Sequence, residues 1–417
     1  MLQTLDKPLA GGEKPVMPSA SDPVAIIGAG PAGLMAATCL AQAGHAVTLY
    51  ERMPSPARKL LMAGRGGLNL THSEPLERFI ARYRPAAAPL LTAIRAFAPD
   101  ALRAFADDLG QPTFIGTSGR VFPESFKASA FLRAWLRRLA EQGVRLRTRH
   151  QWLGWTPANA LSFATPEGPR AVSAPATILA LGGASWPRLG GDGSWVPLLR
   201  DRGVGITPFA PANMGVQIAW SEAMASMAGT PLKRIALSCA GVTVRGEAMV
   251  TAQGLEGGAV YALSAMIRER LAAGGHLLLH LDLRPDLSLE ALGRKLAAVP
   301  ERQSLSNRLR KGAGLASVAV RLLREAGPLP GAPAGLAARI KAVPLAIIGT
   351  CGLERAISSA GGIAWDSLDD QFGLRALPGV FACGEMLDWE APTGGYLLQA
   401  CFSTGHAAAE GVIARLG

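Results

Sequence analysis

The chain has 417 residues, of which 49% are hydrophobic, so it can bury the cores of two or three domains and is not a disordered chain. Its five cysteines include no C-x-x-C pair, which excludes a disulfide scaffold, a zinc ribbon and a thioredoxin-type redox pair and suits a reducing compartment. Charged residues make up only 18%, so the net charge of +11 reflects scarce carboxylates rather than dense basic runs.

The chain begins with residues 1–22, rich in Pro, Gly, Ser and Lys, which we expect to be a flexible tail. Residues 24–50 contain no Asp, Glu, Lys or Arg, a length that could span a bilayer. Three glycines near the start of this run predict a sharp turn instead, and Asp22 before it argues against a secretory signal. We therefore expect a soluble cytoplasmic protein with no membrane partner.

The first motif is a strand, a glycine-rich turn, a helix and a second strand. Val24–Ile27 predicts a buried parallel strand, and 34–44 and 46–50 predict the helix and the next strand. In the turn, Gly28 allows a tight bend, Gly30 lacks the Cβ that would block a pyrophosphate, and Gly33 lets the helix pack closely on the strand. The helix N-terminus offers N–H groups to phosphates.

Glu51 stands at the end of the second strand, about 20 residues after the glycines. A carboxylate at this place accepts hydrogen bonds from the adenosine ribose hydroxyls, and it argues against a 2′-phosphate and hence against NADP at this site. The unit as a whole predicts a dinucleotide site.

The stretch 59–72 holds three glycines between Lys59 and an Asn-x-Thr sequence, which predicts a loop whose backbone runs close beside a flat ligand. Arg65 suits a phosphate or a substrate carboxylate. His72 is either a surface histidine or a group for flavin attachment or acid–base chemistry.

The most basic stretch is 133–149, with six arginines. Phe131, Trp135 and Leu139 recur at helical spacing and predict an inward apolar face, so we interpret the arginines as the solvated face of a helix and the strand after it. We do not expect a nucleic-acid partner, although the basic balance keeps a nucleic-acid-associated protein open.

Residues 192–352 predict an inserted domain that is β-rich first and helical afterwards. Strands are predicted at 242–245 and 277–283, and helices at 288–298, 305–325 and 334–342. The glycine-rich segment around Glu256 precedes a helical pattern at 259–271. It either presents a helix N-terminus to the cofactor or an anionic substrate, or is an ordinary connection.

The C-terminal part predicts a second ligand-binding element. Residues 377–385 predict a turn and a short strand that ends at Gly384-Glu385, and 397–416 predict a helix that follows Gly394-Gly395. The N-terminus of such a helix suits the negative charge that a reduced flavin carries near N1 and the C2 carbonyl. Asp388 or Glu385 is placed to accept hydrogen bonds from a ribityl chain. This second element favours FAD over NAD.

These motifs together resemble YhiN/BaiN-like FAD-dependent oxidoreductases, a family that includes enzymes described as aminoacetone oxidases and bile-acid-intermediate reductases. The resemblance runs from about residue 23 to the end, through the segments 28–33, 59–72, 119–123, 180–183, 246–264 and 384–399. It implies an α/β fold in which a Rossmann-like FAD-binding domain, built from 23–191 and 353–417, is interrupted by the inserted domain.

One loop departs from the family pattern. The family's Gly-Gly-Gly-Arg-Cys-Asn-x-Thr-Asn corresponds to residues 64–72, where Arg has moved, Cys has become Leu and the final Asn has become His. We therefore interpret the chain as a divergent branch and carry over no substrate from named members.

The motifs and the resemblance give two sets of candidate site residues and no metal site. The predicted cofactor-binding residues are Gly28, Gly30, Pro31, Ala32, Gly33, Glu51, Arg52, Lys59, Gly64, Arg65, Asn69, Thr71, Gly182, Gly384, Glu385, Asp388, Gly394, Gly395 and Tyr396. The predicted catalytic residues, as proton donors or acceptors, are Arg120, Tyr396, Glu256 and His72.

The sequence predicts an FAD-dependent oxidoreductase that transfers a hydride between the flavin and a small or medium organic substrate under the inserted domain. Because 189–193 and 348–352 lack the spacing of a second dinucleotide site, either NAD(P)H binds transiently over the flavin or the substrate itself is the electron donor. Two alternatives stay open: an FAD-dependent amine oxidase that uses O2, and a non-catalytic or redox-sensing flavoprotein.

Overall fold

The computed structural model describes residues 22–417. The tail predicted at 1–22 lies outside the described residues apart from Asp22, and so does the side chain of Arg65. The described residues form two hydrophobic cores, one from 24–204 together with 363–412 and the other from 216–347. An interrupted domain with an insertion has this arrangement, while the boundaries at 192 and 352 themselves stay a prediction.

The helices and strands fall into three groups along the chain. The first comprises β1 (Val24–Ile27), α1 (Pro31–Gln42), β2 (Val47–Glu51), α2 (Arg58–Ala63), β3 (Thr71–His72), α3 (Leu76–Ile80), α4 (Ala88–Ala96), α5 (Pro99–Asp108), β4 (Thr113–Ile115), β5 (Arg120–Pro123), α6 (Ala128–Glu141), β6 (Arg145–Thr148), β7 (Gln151–Trp155), β8 (Leu161–Thr165), β9 (Gly168–Val172) and β10 (Thr177–Leu179).

The second group comprises α7 (Val196–Arg200), β11 (Ile206–Ala212), β12 (Val216–Gln217), α8 (Glu222–Ala225), β13 (Pro231–Cys239), β14 (Val242–Thr251), β15 (Gly254–Glu256), α9 (Gly258–Tyr261), α10 (Ser264–Ala272), β16 (Leu277–Asp282), α11 (Leu289–Ala297), α12 (Leu305–Ala313), α13 (Ser317–Glu325), α14 (Pro333–Lys341), β17 (Val343–Ile347) and β18 (Gly349–Thr350). The third comprises β19 (Ser358–Ile363), β20 (Val380–Ala382) and α15 (Tyr396–Leu416).

The cofactor domain is built on a parallel sheet with the order β20-β10-β1-β2-β6. β1 is buried along its whole length, as its run of apolar residues predicts. The helix after it begins at Pro31 rather than at residue 34, because proline has no N–H to lose in the first turn and its φ suits a helix. The predicted Rossmann-like α/β fold is confirmed.

The C-terminal segment completes this domain by adding β20 to the sheet edge and α15 to its face. α15 begins at Tyr396, one residue before the predicted start, and packs on α1. A Cβ at Gly405 would lie 2.3 Å from the carbonyl oxygen of Ala32, so only glycine permits this approach of the two helices. The two ends of the chain thereby form one cofactor domain.

The inserted part contains a seven-stranded sheet with the order β17-β16-β13-β14-β15-β12-β18 and antiparallel pairing. The predicted helix over 305–325 is in fact two helices, α12 and α13, because Gly314 adopts a left-handed φ of 62° and ends the first. The helical pattern at 259–271 is likewise divided into α9 and α10.

A strand pairing and an ion pair are among the contacts that hold the insertion against the cofactor domain. β11 pairs antiparallel with β19, on the C-terminal side of the insertion. Arg268 on α10 makes a bidentate ion pair with Glu390, with N–O distances of 2.9 and 2.6 Å, and both side chains are largely buried. Paired guanidinium and carboxylate groups of this geometry are among the stronger charged contacts in proteins.

Candidate functional site

A cavity of about 690 Å3 opens along the carboxyl edge of the parallel sheet. Its wall includes Gly28 and Glu51, at the ends of β1 and β2, and Gly384, which follows β20. Because β10 and β1 lie between β20 and β2, the wall spans about 14 Å at roughly 4.8 Å per strand. Ligands of doubly wound sheets bind in this position.

The three glycines of the first turn lie in two kinds of surroundings, crowded at two positions and open at the third. A Cβ at Gly28, where φ is 106°, would lie 2.2 Å from the carbonyl oxygen of Ala180, and one at Gly33 would lie 2.0 Å from that of Gly28. A Cβ at Gly30 would meet no atom within 4 Å. Gly28 and Gly33 are therefore required by the fold, whereas Gly30 keeps space open in the cavity wall.

The N-terminus of α1 faces this open space. Gly30 is its N-cap, Pro31 and Ala32 also line the cavity, and no side chain caps the helix. The first N–H groups of a helix have no partner within it and carry partial positive charge, so they suit a pyrophosphate.

Glu51 lines the cavity at the end of β2 and is held by two backbone N–H groups, from Ala29 at 3.0 Å and Met53 at 2.8 Å. Burial raises the pKa of Glu51, and these N–H groups oppose the rise. Its neighbour Arg52 donates to the Asp192 carboxylate and to the carbonyl oxygen of Gly190, each at 2.7 Å, and so braces the cavity rim.

Trp152 on β7 lines the cavity beside Glu51 and was not found from the sequence. It is 6% exposed, and its indole Nε1 is buried with no hydrogen-bond acceptor among the described residues. A buried indole N–H normally has a partner. The orphan donor therefore leaves an unfilled hydrogen bond beside the cavity, which suits a ligand with an acceptor group. No spacing motif around residue 152 predicts this role.

Lys59 and Glu385 meet in the cavity wall, although 326 residues separate them in sequence. Lys59 Nζ lies 2.7 Å from Glu385 Oε2 and donates to Ser185 Oγ at 2.8 Å. The Ser359 N–H donates to Glu385 Oε1 at 3.1 Å. Sequence reasoning identified the two charged residues but neither their pairing nor the two serines.

The C-terminal glycines shape the start of α15. A Cβ at Gly395, where φ is 98°, would lie 2.5 Å from the Cα of Thr71, so the helix start contacts the strand β3 directly. Beside it, Asn69 Oδ1 and Thr71 Oγ1 are buried without hydrogen-bond partners among the described residues. Two orphan polar atoms next to a helix N-terminus suit a polar heterocycle such as a flavin ring.

The remaining predicted cofactor residues lie in different places. Gly182 and Gly384 line the cavity, whereas Gly64, Asn69, Thr71, Gly394 and Gly395 lie outside its wall. Asp388 also lies outside it, and its carboxylate accepts a hydrogen bond from Thr207 Oγ1 at 2.7 Å. The assignment of each to the cofactor stays a prediction.

Three of the four predicted catalytic residues come together. The rings of His72 and Tyr396 stack with centroids 5.6 Å apart, and Arg120 on β5 lies opposite His72 in strand register. His72 Nδ1 accepts from the Glu74 N–H at 3.1 Å, so its Nε2 carries the hydrogen and donates to the Ser118 carbonyl oxygen at 3.0 Å. His72 therefore differs from a free surface histidine, because its neighbours fix its tautomer.

Tyr396 is held by Glu74, the residue whose N–H donates to His72. Its hydroxyl donates to Glu74, which is also paired with Arg82. Burial first, and then Glu74, raise the pKa of the Tyr396 phenol well above its usual range. A phenol that already donates to a carboxylate is poorly placed to give its proton elsewhere, so this arrangement favours a positioning role at the start of α15.

Glu256, the fourth predicted catalytic residue, lies apart on β15 in the inserted sheet. Burial raises the pKa of Tyr261 to about 12, and the Glu256 charge adds to the rise. Neither Glu256 nor Arg120 makes a side-chain hydrogen bond or ion pair within residues 22–417. Neither of them lines the cavity.

The cavity fits FAD on several independent features of its wall. Gly30 leaves room for phosphate, the first turn of α1 offers N–H groups, and Trp152 Nε1 lacks an acceptor. Arg58, also in the wall, has a buried Nε without a partner among the described residues. Within that part of the chain no cluster of His, Cys, Asp and Glu is arranged to hold a metal ion.

The fold and the cavity define a flavoprotein oxidoreductase with FAD as its cofactor. The chain belongs to the family described as "HI0933-like protein Rossmann domain", whose sequence model matches residues 22–411. The resemblance to YhiN/BaiN-like oxidoreductases is thereby confirmed. Between residues 22 and 417, no helix has the length and apolar character needed to cross a membrane.

Two curated relatives cover nearly the whole chain. A "3-dehydro-bile acid delta(4,6)-reductase" of Clostridium scindens is 27% identical over an alignment of 405 residues that covers 92% of this chain and 97% of the relative. A "Ribosomal RNA dihydrouridine synthase" of Escherichia coli is 25% identical over an alignment of 413 residues that covers 93% of this chain and 97% of the relative.

The solved structures include a 3-ketosteroid delta1-dehydrogenase from Sterolibacterium denitrificans, which superposes with a TM-score of 0.53 at 12% identity. The match covers 94% of this chain and 99% of that one. At this identity the likeness concerns the fold alone, and it supports the two-part architecture described above.

Proposed function

We propose that the protein is an FAD-dependent reductase that saturates a carbon–carbon double bond conjugated to a carbonyl group. The support is the chemistry that the names of the two relatives share. A 3-oxo steroid with double bonds at positions 4 and 6 and a uracil ring both carry a C=C bond in conjugation with C=O. Although these molecules differ in size and polarity, the same hydride and proton transfers reduce both.

The cavity is the observation that carries the proposal. Its wall holds the pyrophosphate-type turn at Gly30 at one place and the Lys59–Glu385 pair at another, as an extended dinucleotide requires. When bound, FAD supplies the hydride from its reduced ring, and a proton must reach the neighbouring carbon of the substrate. The exposed Ile357 in the same wall offers an apolar surface to a substrate.

Arg120 is the residue we assign to the substrate carbonyl. It is exposed and makes no ion pair in the described part of the chain. It lies on β5 opposite His72, whose strand β3 contacts the start of α15. A guanidinium that donates to the carbonyl oxygen would stabilise the negative charge that develops there during hydride addition. Arg120→Lys should keep part of the activity and Arg120→Gln should lose about a hundredfold in kcat.

NAD(P)H is the electron donor in this proposal. The one parallel sheet of the described residues already accommodates FAD, so the nicotinamide would bind over the flavin where the substrate later binds. Donor and substrate that use one site in turn give ping-pong kinetics, with parallel lines in double-reciprocal plots.

Anaerobic stopped-flow absorbance tests the proposal on the purified flavoprotein. NADH or NADPH should bleach the flavin, and a 3-oxo-Δ4,6 steroid or a uridine-containing RNA should restore the oxidised spectrum faster than buffer does. Gly30→Val, which should lack flavin, is the control for bleaching by other chromophores. Bleaching by primary amines followed by rapid reoxidation with O2 would contradict a reductase and support the amine-oxidase alternative.

A further inference from the structure

The helical half of the inserted domain carries a large share of the chain's excess positive charge. Residues 289–341, which form α11 to α14, contain ten basic and three acidic residues, a net charge of +7 out of +11 for the whole chain. The composition alone suggested that the excess reflects scarce carboxylates rather than dense basic runs. The structure places this part of the excess on adjoining helices.

The cations are exposed and not neutralised. The exposed members on α11, the following loop, α12 and α13 are Arg294, Lys295, Arg302, Arg310, Lys311, Arg321 and Arg324. In the part of the chain that the structure describes, none of these seven has a carboxylate within 4 Å. We call these seven residues the basic helical face.

Direct contacts between the helices bring these cations onto adjoining surfaces. Gly312 packs α12 onto α11, since a Cβ there would lie 3.0 Å from the Lys295 carbonyl oxygen. Arg324 on α13 donates to Ser306 Oγ on α12 at 3.1 Å. Glu325, one of the three acids, instead accepts from the Ser221 N–H and Oγ, at 2.9 and 2.5 Å.

Favourable interaction with the helix dipole explains a cation in the last turn of each helix, but only part of the pattern. Arg294 and Lys295, and likewise Arg310 and Lys311, occupy such last turns. If these cations stabilised their own helices, we would expect acidic residues four positions away to form ion pairs with them. No such ion pair is formed in α11 to α14 of the described chain. Uncompensated like charges on adjoining helices repel one another, so a bound anion would stabilise the face.

We propose that the basic helical face binds the phosphate backbone of double-helical nucleic acid. Five of its seven cations are arginines, whose guanidinium groups match phosphate oxygens in bidentate geometry. Segment 289–341 contains no Phe, Trp or Tyr, so it offers no platform for stacking unpaired bases. Backbone recognition of a duplex needs no such platform.

An anionic membrane is the competing partner, and the face fits it less well. Interfacial binding needs large apolar side chains that enter the acyl region beside the cations. Among the large hydrophobic residues of 289–341, only Leu289 is exposed within the described chain. Nucleic-acid binding by this face is measured with oxidised flavin and no reductant, so its outcome is separate from that of the proposed reductase activity.

The test is fluorescence anisotropy of the holoprotein with a labelled 20-base-pair RNA duplex between 50 and 300 mM KCl. Neutralising about seven phosphates gives a slope of log K against log salt near −6. The triple variant Arg294→Gln, Lys295→Gln, Lys311→Gln removes three exposed cations that make no hydrogen bonds in residues 22–417. This variant should make the slope of log K against log salt less negative by about 3, and it should weaken binding at least tenfold at 100 mM salt.

The matched control is Arg133→Gln, Arg137→Gln, Arg145→Gln, which removes the same charge from the exposed surface of α6 and β6. It should change the slope by less than 1 and the affinity less than threefold. Equal effects of the two triple variants would overturn the proposal, because net charge alone would then explain binding. Absence of binding at 50 mM KCl, a preference for single-stranded RNA of the same length, or binding only to phosphatidylglycerol vesicles would each overturn it too.

Discussion

Gly30 and Gly33 differ by three positions, yet the structure predicts opposite effects when each gains a side chain. At Gly30 the backbone is extended, with φ −82° and ψ −179°, so any residue can adopt its conformation. A Cβ there would enter open space in the cavity wall. Gly30→Val should therefore leave the protein folded and remove only the space that a pyrophosphate needs.

The magnitudes follow from the surroundings of each glycine. Valine is a poorer N-cap than glycine, so Gly30→Val should lower the free energy of unfolding by about 1 kcal/mol or less. At Gly33 a Cβ would lie 2.0 Å from a backbone oxygen, an overlap that typically costs about 1–3 kcal/mol. Alanine has a helix propensity about 1 kcal/mol more favourable than glycine, which offsets part of this cost. At the upper end of the range, Gly33→Ala should therefore lower the free energy of unfolding by about 2 kcal/mol.

Two measurements separate these effects. The flavin absorbance near 450 nm after gel filtration reports cofactor retention, and urea unfolding of the apoproteins by circular dichroism reports stability. Gly30→Val should be colourless and stable, and Gly33→Ala should be destabilised even as apoprotein. Full flavin occupancy in Gly30→Val would refute the assigned phosphate site, and an unstable Gly30→Val apoprotein would refute the view that this position serves only the ligand.

Three further changes test other parts of the site. Trp152→Phe removes the unpartnered Nε1, so the FAD Kd measured by calorimetry should rise about three- to tenfold while apoprotein stability is unchanged. An unaltered Kd would contradict a hydrogen bond from this Nε1 to the cofactor. Lys59→Met leaves the Glu385 carboxylate buried without its cation and should lower the melting temperature, which the double variant with Glu385→Gln should partly restore. Burial lowers the pKa of His406 below 6.5, and the Glu410 charge opposes this shift. As the pH drops below 6.5, His406 is therefore protonated in the unfolded chain before it is protonated in the folded one, and the free energy of unfolding should fall. In urea unfolding, His406→Asn should not show this fall in the free energy of unfolding. A pH profile identical to that of the unchanged protein would contradict the role given to His406.

Local patterns allowed the cofactor turn to be predicted from the sequence. The roles of Gly28 and Gly33 depend on atoms within the same βαβ unit and on the adjoining strand, so spacing alone identified them. The inward face of α6 was predicted equally well, since Phe131, Trp135 and Leu139 are all buried. In both cases the determining contacts recur with the period of the helix or strand.

Features that depend on distant contacts were missed or misplaced. Trp152, Ser185 and Ser359 belong to the site only because separate segments meet at the sheet edge, and no local pattern marks them. Asp388 has suitable chemistry for a ribityl chain, but its carboxylate is engaged with Thr207 from the start of the insertion. The break between α12 and α13 was missed because glycine inside an apolar helical pattern does not by itself reveal a left-handed φ.

The joining of both ends of the chain in one sheet has a consequence for biosynthesis. β1 leaves the ribosome early, whereas β20 and α15 emerge only after the whole insertion has been made. The nascent protein must therefore hold an incomplete sheet edge at β10 through most of its synthesis, and flavin capture can follow only when translation of α15 has ended. Loading with FAD thus marks a polypeptide that has been synthesised through α15.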